Sequence, residues 1–310
     1  MLPVSVDVRE VGPRDGFQNE PEIIPTERKV ELIDMLARTG LRRLEVTSFV
    51  RPDVIPQLAD AEQVLERIDV PTDVSLSVLI PNERGLDRAL ELRESLRRER
   101  PAFDEINVFL SASETHNRRN VNRSIEESLT SLEKVLPPAR AQGLRCEGVI
   151  STSFGCPYEG HVPPERVLEI ATRLRDAGAS EIGFGDTTGM ANPVQVGELF
   201  ALWREGLGQE VELTAHFHNT RGQGLANVLA ALQTGVTSFE SSFGELGGCP
   251  VPAGATGNIA TEDLVSMLHE MDIETGVDLD ALLACARRAQ EILGRPLGSH
   301  TLVAGPIDWR

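Results

Sequence analysis

The chain has 310 residues, a formal net charge of −18 at pH 7 and a hydrophobic content of 40%. This is enough apolar residue for a sizeable core, built mainly from Leu, Val, Ile and Ala because aromatic residues make up only 4%. The acidic balance argues against non-specific binding to nucleic acid or to a membrane surface. No apolar run approaches the roughly 18 residues that a membrane-spanning helix needs.

The cysteines and the first residues indicate an intracellular setting. Cys146, Cys156, Cys249 and Cys285 are widely spaced and form no Cys-x-x-Cys pair. This spacing predicts free thiols in a reducing compartment rather than a disulfide framework. The chain enters a strand-like pattern at Pro3 with no basic and apolar leader before it. We therefore expect a cytoplasmic protein.

Apolar periodicity and turn residues predict eight alternations of strand and helix. Strands are expected near residues 4–9, 43–47, 73–80, 103–110, 144–151, 181–184, 211–217 and 237–240. The helices between them are expected near 25–37, 58–68, 83–98, 124–141 and 224–233, with two more that begin at Pro163 and Pro193. Eight such units favour a (β/α)8 TIM barrel over an open doubly wound sheet.

The last 50 or so residues contain two further helical patterns, near 261–270 and 279–293. A segment of this length is short for an independent domain. We therefore expect one domain over residues 1–310, with the barrel over about 1–260 and a C-terminal helical segment over 261–310 that packs on it.

Polar side chains follow the predicted strands at the end where this fold places its active sites. They are Arg14, Asp15, Gln18, Glu45, Ser48, Asp186, His216, His218 and Asn258. Residues two apart in a strand share a face, so His216 and His218 project the same way. Carboxylate, amide and imidazole groups together predict a site for a borderline-to-hard divalent cation such as Mg²⁺, Mn²⁺ or Co²⁺.

Six segments of the chain resemble, in order, the motifs of the 3-hydroxy-3-methylglutaryl-CoA lyase family, whose members are metal-dependent barrels with an Arg-Asp-Gly motif. These segments are residues 11–20, 45–50, 155–160, 185–187, 216–218 and 247–258. The Arg-Asp-Gly and His-x-His motifs are shared with related enzymes. The Gly-Gly-Cys-Pro loop followed by Gly-x-x-Gly-Asn is specific to the lyases, and the match covers nearly the whole chain.

The resemblance implies cleavage of a carbon–carbon bond in a 3-hydroxy-3-methylglutaryl-CoA-like thioester, giving acetyl-CoA and a 3-keto acid, with a place in leucine degradation. It implies Asp15, His216, His218 and Asn258 as ligands of a divalent metal, most often Mg²⁺ or Mn²⁺. It also implies an acyl-CoA substrate as the partner and a homodimer as the assembly.

The resemblance further implies roles for single residues. Arg14 would stabilise the developing enolate or carbonyl oxygen, and Cys249 would protonate the enolate. Glu45 would support the geometry of Arg14 and the metal. The hydroxyl proton would pass to His216 or to Asp15, and the motif leaves that choice open. The remaining family positions would line the substrate pocket: Gln18, Ser48 and Asp186.

Three residues depart from the family pattern. Asn219 stands where the typical lyase has Asp and where the related Claisen-condensing synthases have Asn. Gly183 replaces a Ser of some lyases, and Val149 occupies a position that is often aromatic. A lyase for a different 3-hydroxyacyl-CoA is therefore one alternative, and a condensing synthase of the isopropylmalate synthase type is another.

Two features weigh against the alternatives to a lyase. The Cys249 loop and the short C-terminal tail favour a lyase over a synthase. Arg14, Asp15, Cys249 and Asn258 are all present, which disfavours a barrel that has lost turnover and only binds a ligand.

Other polar and thiol groups have no evident partner in the sequence. Arg118 and Arg119 could meet the CoA phosphates or belong to a solvated loop, and both interpretations stay open. His116 is expected at the surface. Cys146 and Cys285 lie in apolar patterns and are expected to be buried.

Overall fold

Eight parallel strands pair in chain order, and β8 pairs with β1 to close a barrel. The structure is a computed structural model that describes residues 2–96, 100–248 and 257–309. The predicted barrel is confirmed, and the strands lie within a few residues of their predicted positions. They are β1 (Asp7–Glu10), β2 (Arg43–Ser48), β3 (Ser75–Leu79), β4 (Glu105–Ser111), β5 (Arg145–Ser151), β6 (Glu181–Asp186), β7 (Glu212–Phe217) and β8 (Ser238–Ser241).

Helices follow the strands and cover the outside of the barrel. They are α1 (Thr26–Leu36), α2 (Ala61–Arg67), α3 (Glu83–Ser95), α4 (Glu114–Val121), α5 (Ile125–Ala141), α6 (Pro164–Ala177), α7 (Pro193–Leu207), α8 (Gly224–Gln233), α9 (Thr261–Glu270), α10 (Leu279–Leu293) and α11 (His300–Ala304). None of the helices in the described residues is long and apolar enough to cross a membrane.

Helix α4 was not predicted, and it corrects the placement of His116. The segment begins at Ser113, whose side chain accepts a hydrogen bond from the His116 backbone N–H and so caps the helix. His116 is buried rather than exposed, and its Nδ1 lies 2.5 Å from the Ser111 hydroxyl. The expectation of a surface histidine was wrong because the burial of His116 depends on how this helix packs against β4, which no local pattern reveals.

The apolar core lies between the strands and the helices. Phe184 on β6 faces outward, and its ring stacks on Trp203 of α7 at a centroid distance of 4.1 Å. Phe200 packs edge-on against both rings, and Phe154 packs edge-on against Trp203 and tilted against Phe200. Cys146 and Cys285 are buried as expected. This shell anchors the strands and leaves their inward-facing side chains to fill the barrel.

The lower interior of the barrel is filled by charged side chains rather than by branched apolar ones. Arg9 of β1 is 1% exposed. Its guanidinium contacts four carboxylates: Glu105 at 3.4 Å, Glu181 at 2.9 Å, Glu240 at 2.8 Å, and Glu147. These acids come from β4, β6, β8 and β5. One arginine therefore joins strands from around the whole barrel.

Arg43 of β2 extends the same cluster. It lies beside Arg9 in the strand register, and it binds Glu105 at 2.5 Å and Glu181 at 2.6 Å. Thr214 of β7 donates its hydroxyl to Glu181 at 2.5 Å. A buried charge costs several kcal/mol unless it is paired and hydrogen-bonded. The acids therefore depend on the two arginines, and the arginines on the acids.

We predict that Arg9→Met destabilises the fold by about 3–5 kcal/mol, because it leaves buried carboxylates without their cation. Urea unfolding followed by circular dichroism measures the change. The control is Arg42→Met, at a position where the side chain is 67% exposed and forms an ion pair with Asp73 at 3.4 Å. That variant should stay within about 0.5 kcal/mol of the parent. Equal stability of the two variants would contradict the role assigned to Arg9.

Candidate active site

The loop after β1 is a π-helical turn, Gly12–Gly16, that presents Arg14 and Asp15 at the barrel mouth. The backbone N–H groups of both residues donate to the Val11 carbonyl, at 3.1 and 2.7 Å. A Cβ on Gly12 would lie 2.6 Å from the Phe243 ring, and one on Gly16 would lie 2.8 Å from Leu246 Cβ. The two glycines therefore let this turn pack directly against the loop after β8.

Asp15 accepts hydrogen bonds from three side chains at the barrel mouth. Its Oδ1 accepts from Arg14 Nη1 at 2.9 Å and from Gln18 Nε2 at 2.8 Å. Its Oδ2 accepts from Asn258 Nδ2 at 2.8 Å. Burial raises the pKa of Asp15, but Arg14 and His216 outweigh burial and hold that pKa below its usual value. Asp15 is therefore held as a carboxylate.

Arg14 is held from its other side by Glu45 of β2. Arg14 Nε lies 2.8 Å from Glu45 Oε1, and Asn107 of β4 donates its amide to the same oxygen. Glu45 and Asn107 are both buried. The contact from Asn107 was not predicted, because an Asn inside an apolar strand has no local pattern that reveals its partner.

The two imidazoles of β7 meet as the spacing predicts. His216 Nε2 lies 3.2 Å from His218 Nε2, and His216 Nδ1 lies 2.8 Å from Glu240 Oε2. Burial and the neighbouring His216 lower the pKa of His218 to about 3. Glu240 was not predicted as part of the site, because the sequence around it is that of an ordinary short strand.

Asn258 completes the group from the segment after β8. Its backbone pairs with that of His218, and its Nδ2 donates to the Leu246 carbonyl at 3.0 Å as well as to Asp15. Its Oδ1 is buried and has no hydrogen-bond partner among the described residues. The amide oxygen is therefore free to bind another group at this point.

A divalent metal fits this set of groups. One oxygen of Asp15 and one nitrogen each of His216 and His218 lie within 4.8 Å of one another. The unpartnered Oδ1 of Asn258 adds a second oxygen donor. Two imidazoles, a carboxylate and an amide suit a borderline-to-hard divalent cation. The four residues predicted as ligands thus lie together.

The loop after β8 reaches the same point. A Cβ on Gly247 would lie 2.6 Å from Asn258 Nδ2 and 3.3 Å from Asp15 Oδ2. Gly248 lines the cavity in front of these groups. Cys249, the predicted proton donor, lies outside the described residues. The chain therefore passes over the ligand groups just before it reaches Cys249.

A cavity of about 460 Å³ opens in front of the ligand groups. Gln18 and Ser48 line it as predicted, together with Phe109 and Val149. Asp186 lies differently: its neighbours Gly185 and Thr187 line the cavity. The carboxylate of Asp186 accepts the backbone N–H groups of Met190 and Ala191, at 2.7 and 3.0 Å. It thus holds the turn behind the cavity wall.

The outer wall of the cavity is formed by α4. Arg119 lines the cavity and its guanidinium lies 4.2 Å from the centre of the Tyr158 ring. Arg118 instead forms an ion pair with Glu114 within the helix. The two arginines therefore separate: Arg119 faces the cavity, and Arg118 belongs to the solvated face of a helix rather than to a loop.

Two of the three departing positions have defined surroundings away from the ligand groups. Asn219 donates its amide to Glu245 Oε1 at 2.8 Å. A Cβ on Gly183 would meet Glu147 Oε1 at 2.8 Å, inside the barrel. Val149 alone lines the cavity. A change of acyl group would therefore act through Val149 more directly than through the other two.

The chain matches the HMGL-like family model over residues 5–288. The chain belongs to the HMGL-like family. It is 48% identical to a hydroxymethylglutaryl-CoA lyase of Bacillus subtilis over 301 residues, which is 97% of each chain. It is 43% identical over 306 residues to the mitochondrial hydroxymethylglutaryl-CoA lyase of Bos taurus, covering 98% of this chain and 90% of that protein.

Solved structures of this family superpose on the barrel. A crystal structure of the Bacillus subtilis HMG-CoA lyase gives a TM-score of 0.91 at 47% identity, over 97% of this chain and 98% of that one. An HMG-CoA lyase from Acinetobacter baumannii, in complex with coenzyme A and 3-methylmalate, gives 0.91 at 39% identity over 99% and 97%. The HMGL-like fold is therefore shared over nearly the whole chain.

In this HMGL-like barrel, two buried glutamates hold the loops of the site to the barrel. Glu10 accepts from the backbone N–H groups of Gly12 and Phe243, at 2.7 and 3.1 Å, and from the Thr261 hydroxyl at 2.6 Å. Glu262 accepts from the Gly244 N–H at 2.9 Å. Burial raises the pKa of Glu10 to about 7 and that of Glu262 to about 8.

We predict that Glu262→Gln makes stability less sensitive to pH. Between about pH 4.5 and pH 8, the folded protein keeps a proton on Glu262 that the unfolded chain releases. The free energy of unfolding therefore falls as pH rises, by up to about 1.4 kcal/mol per pH unit. Urea unfolding at several pH values should give a shallower slope for Glu262→Gln, and an unchanged slope for the exposed control Glu274→Gln.

Proposed function

We propose that the protein is a hydroxymethylglutaryl-CoA lyase, which cleaves 3-hydroxy-3-methylglutaryl-CoA to acetyl-CoA and acetoacetate. The observation that carries this proposal is the convergence of Asp15, His216, His218 and Asn258 beside Arg14 at the barrel mouth. Membership of the HMGL-like family supports it, and so do relatives that are named as hydroxymethylglutaryl-CoA lyases.

The four converging residues would hold a divalent metal, with Mg²⁺ or Mn²⁺ as the proposed ion. When bound, such an ion supplies Lewis acidity toward the oxygens of the substrate. Asp15 remains ionised beside Arg14, and the His216 and His218 Nε2 atoms face one another. These residues therefore need little rearrangement to act as ligands.

The difficult step in the reaction is the departure of a thioester enolate when the bond between C2 and C3 breaks. The hydroxyl proton would pass to His216 or to Asp15. A His216 whose Nδ1–H binds Glu240 and whose Nε2 binds the metal has no free nitrogen, which favours Asp15. The C3 carbon becomes the ketone of acetoacetate, and the bond electrons move into the enolate. Arg14, whose side chain is 13% exposed, would stabilise the negative oxygen that develops.

The enolate must gain one proton at C2 to become acetyl-CoA. We propose Cys249 as the donor, since the chain enters this residue from Gly248 at the cavity wall. Glu45 would keep Arg14 in place through their 2.8 Å contact. Gln18 and Ser48 would contact the acyl group, and Asp186 would shape the turn beside it.

The open side of the cavity would accept the CoA part of the substrate. Arg119 and Tyr158 line that side, and a guanidinium there offers a phosphate partner. The Acinetobacter relative has coenzyme A in its complex. Arg119 is thus the better of the two arginines for this contact, because Arg118 is engaged with Glu114.

The setting of the enzyme is also a proposal. We propose a single lyase domain over residues 1–310, a homodimer, a cytoplasmic location and a role in leucine degradation. The family model over residues 5–288 supports the single domain. A relative from Danio rerio is named as a cytoplasmic enzyme, whereas several others are named as mitochondrial.

The activity is tested with purified protein, Mg²⁺ or Mn²⁺, and a panel of 3-hydroxy-3-alkylglutaryl-CoA thioesters of increasing alkyl length. We expect acetyl-CoA release from the 3-methyl compound. Release of acetyl-CoA only from members with longer alkyl groups would show that the substrate is a different 3-hydroxyacyl-CoA. Val149, which lines the cavity, would then be the first residue to examine. If no member releases acetyl-CoA, before or after thiol reduction, the proposed function is wrong. Consumption of acetyl-CoA with a 2-keto acid would establish a condensing synthase instead.

We predict that Arg14→Met lowers kcat by roughly 10²–10³-fold, the usual loss when one donor to a developing oxyanion is removed. Steady-state assay of acetyl-CoA release measures it. Arg118→Met makes the same chemical change on the solvated face of α4 and should leave kcat within about twofold. A kcat for Arg14→Met close to that of the parent would remove this guanidinium from the mechanism.

We predict that Asn258→Leu raises the Kd for Mn²⁺ by at least about 10-fold, since residues around a metal commonly contribute 10–100-fold to its affinity. Calorimetry without substrate measures the binding. Asn258→Asp keeps an oxygen donor of the same size and should retain most of the affinity. Equal Kd values for the parent and the Leu variant would exclude the amide as a ligand.

A further inference from the structure

The ring nitrogen of His216 that faces the barrel interior contacts a residue outside the proposed ligand set. His216 Nδ1 lies 2.8 Å from Glu240 Oε2, while His216 Nε2 faces His218 and the metal position. Glu240 stands on β8 and lies next to His216 in the strand register. The imidazole therefore has one nitrogen for the site and one for the barrel interior.

Glu240 is itself held by the ion cluster below the site. Its Oε1 accepts from Arg9 Nη1 at 2.8 Å, so its two oxygens bind two different partners. Glu240 is 3% exposed and Arg9 is 1% exposed. A buried guanidinium is tolerated only beside ionised acids. The 2.8 Å ion pair with Arg9 therefore holds Glu240 as a carboxylate.

An ionised carboxylate can only accept hydrogen bonds, so His216 Nδ1 must carry a proton to bind it. In a neutral imidazole the other nitrogen, Nε2, then keeps its lone pair. That lone pair is what a metal ligand requires. The hydrogen-bond partner of Nδ1 thus decides whether Nε2 has a lone pair with which to bind a metal.

His218 provides an internal contrast. Its Nδ1 is buried and finds no hydrogen-bond partner in the described part of the chain. Its backbone pairs with that of Asn258. A change at Glu240 should therefore act on His216 directly, and on His218 only through the 3.2 Å contact between the two Nε2 atoms.

We propose that Glu240 is a positioning residue that holds His216 in its Nδ1–H tautomer, and that Arg9 holds Glu240 in place for this task. The proposal rests on the proposed role of His216 as a metal ligand. It links the ion cluster inside the barrel to the chemistry at its mouth through two hydrogen bonds, Arg9 to Glu240 and His216 to Glu240.

The test uses Glu240→Gln in full-length protein with ¹⁵N-labelled histidine. In the parent, metal-free protein at a pH high enough to keep the imidazoles neutral should show His216 as the Nδ1–H tautomer in long-range ¹H–¹⁵N spectra. A Gln amide can donate to Nδ1, so the variant should shift His216 toward the Nε2–H tautomer. The Kd for Mn²⁺, measured by calorimetry, should rise about 10–100-fold.

The matched control is Glu147→Gln. Glu147 binds the same Arg9 Nη1 atom as Glu240, but it is not among the partners of His216. This variant replaces a carboxyl group on the same guanidinium atom and should keep the His216 tautomer and a Kd within about twofold of the parent. An equal loss in both variants would assign the effect to the loss of any carboxyl group from the cluster and overturn the proposal.

An unchanged tautomer and Kd in Glu240→Gln would also overturn it. If that variant fails to fold, Glu240→Asp decides, because it keeps the charge beside Arg9 and withdraws the carboxylate by one methylene. A loss of about 10-fold in Mn²⁺ affinity then supports the proposal, and no loss overturns it. None of these measurements uses a thioester, so a failure of the proposed lyase activity would be seen separately.

Discussion

Arg9 carries its charge at a place where 1% of the residue reaches solvent, and a charge there is tolerated only with acids around it. Those acids come from β4, β5, β6 and β8. Their side chains must therefore reach the same height along the barrel axis to contact one guanidinium. Glu240 belongs both to this group and to the site, through His216. The position of the imidazole at the mouth is thus tied to the charge balance below it.

Two loops supply the side chains of the site that the strands do not. Asp15 comes from the loop after β1 and Asn258 from the segment after β8, and the two side chains meet at 2.8 Å. Glu10 joins the same two loops from beneath, through the backbone of Gly12 and of Phe243. The proposed ligand residues are therefore held in two ways. One is direct contact between the side chains, and the other is a buried carboxylate that binds the backbone of both loops.

The sequence predicts the features that depend on local order. Apolar periodicity gives the eight strands and most helices, and the two-residue spacing of His216 and His218 gives their shared face. Asp15 and Asn258 could be joined to them only through the family motifs, since they lie far apart in the chain. Arg9 and Glu240 could not be found in this way. A charged residue in a short strand usually faces water, and its burial becomes evident only when distant strands close around it. His116 was misplaced for a similar reason, because its burial depends on α4 folding back over β4.

The register of the ion cluster has a consequence for how the chain assembles. Arg9 and Arg43 are neighbours on β1 and β2, while Glu147 and Glu181 are neighbours on β5 and β6. The first half of the barrel alone would hold Arg9 and Arg43 with only Glu105 of the four acids, and the second half would hold the other three acids without either arginine. Most of these ion pairs therefore form only when the halves meet. A half-barrel should therefore be a poor folding unit, and closure of the ring should be a cooperative, all-or-none event. The charged side chains that contact Glu240 and, through it, His216 would then also disfavour a partly closed barrel.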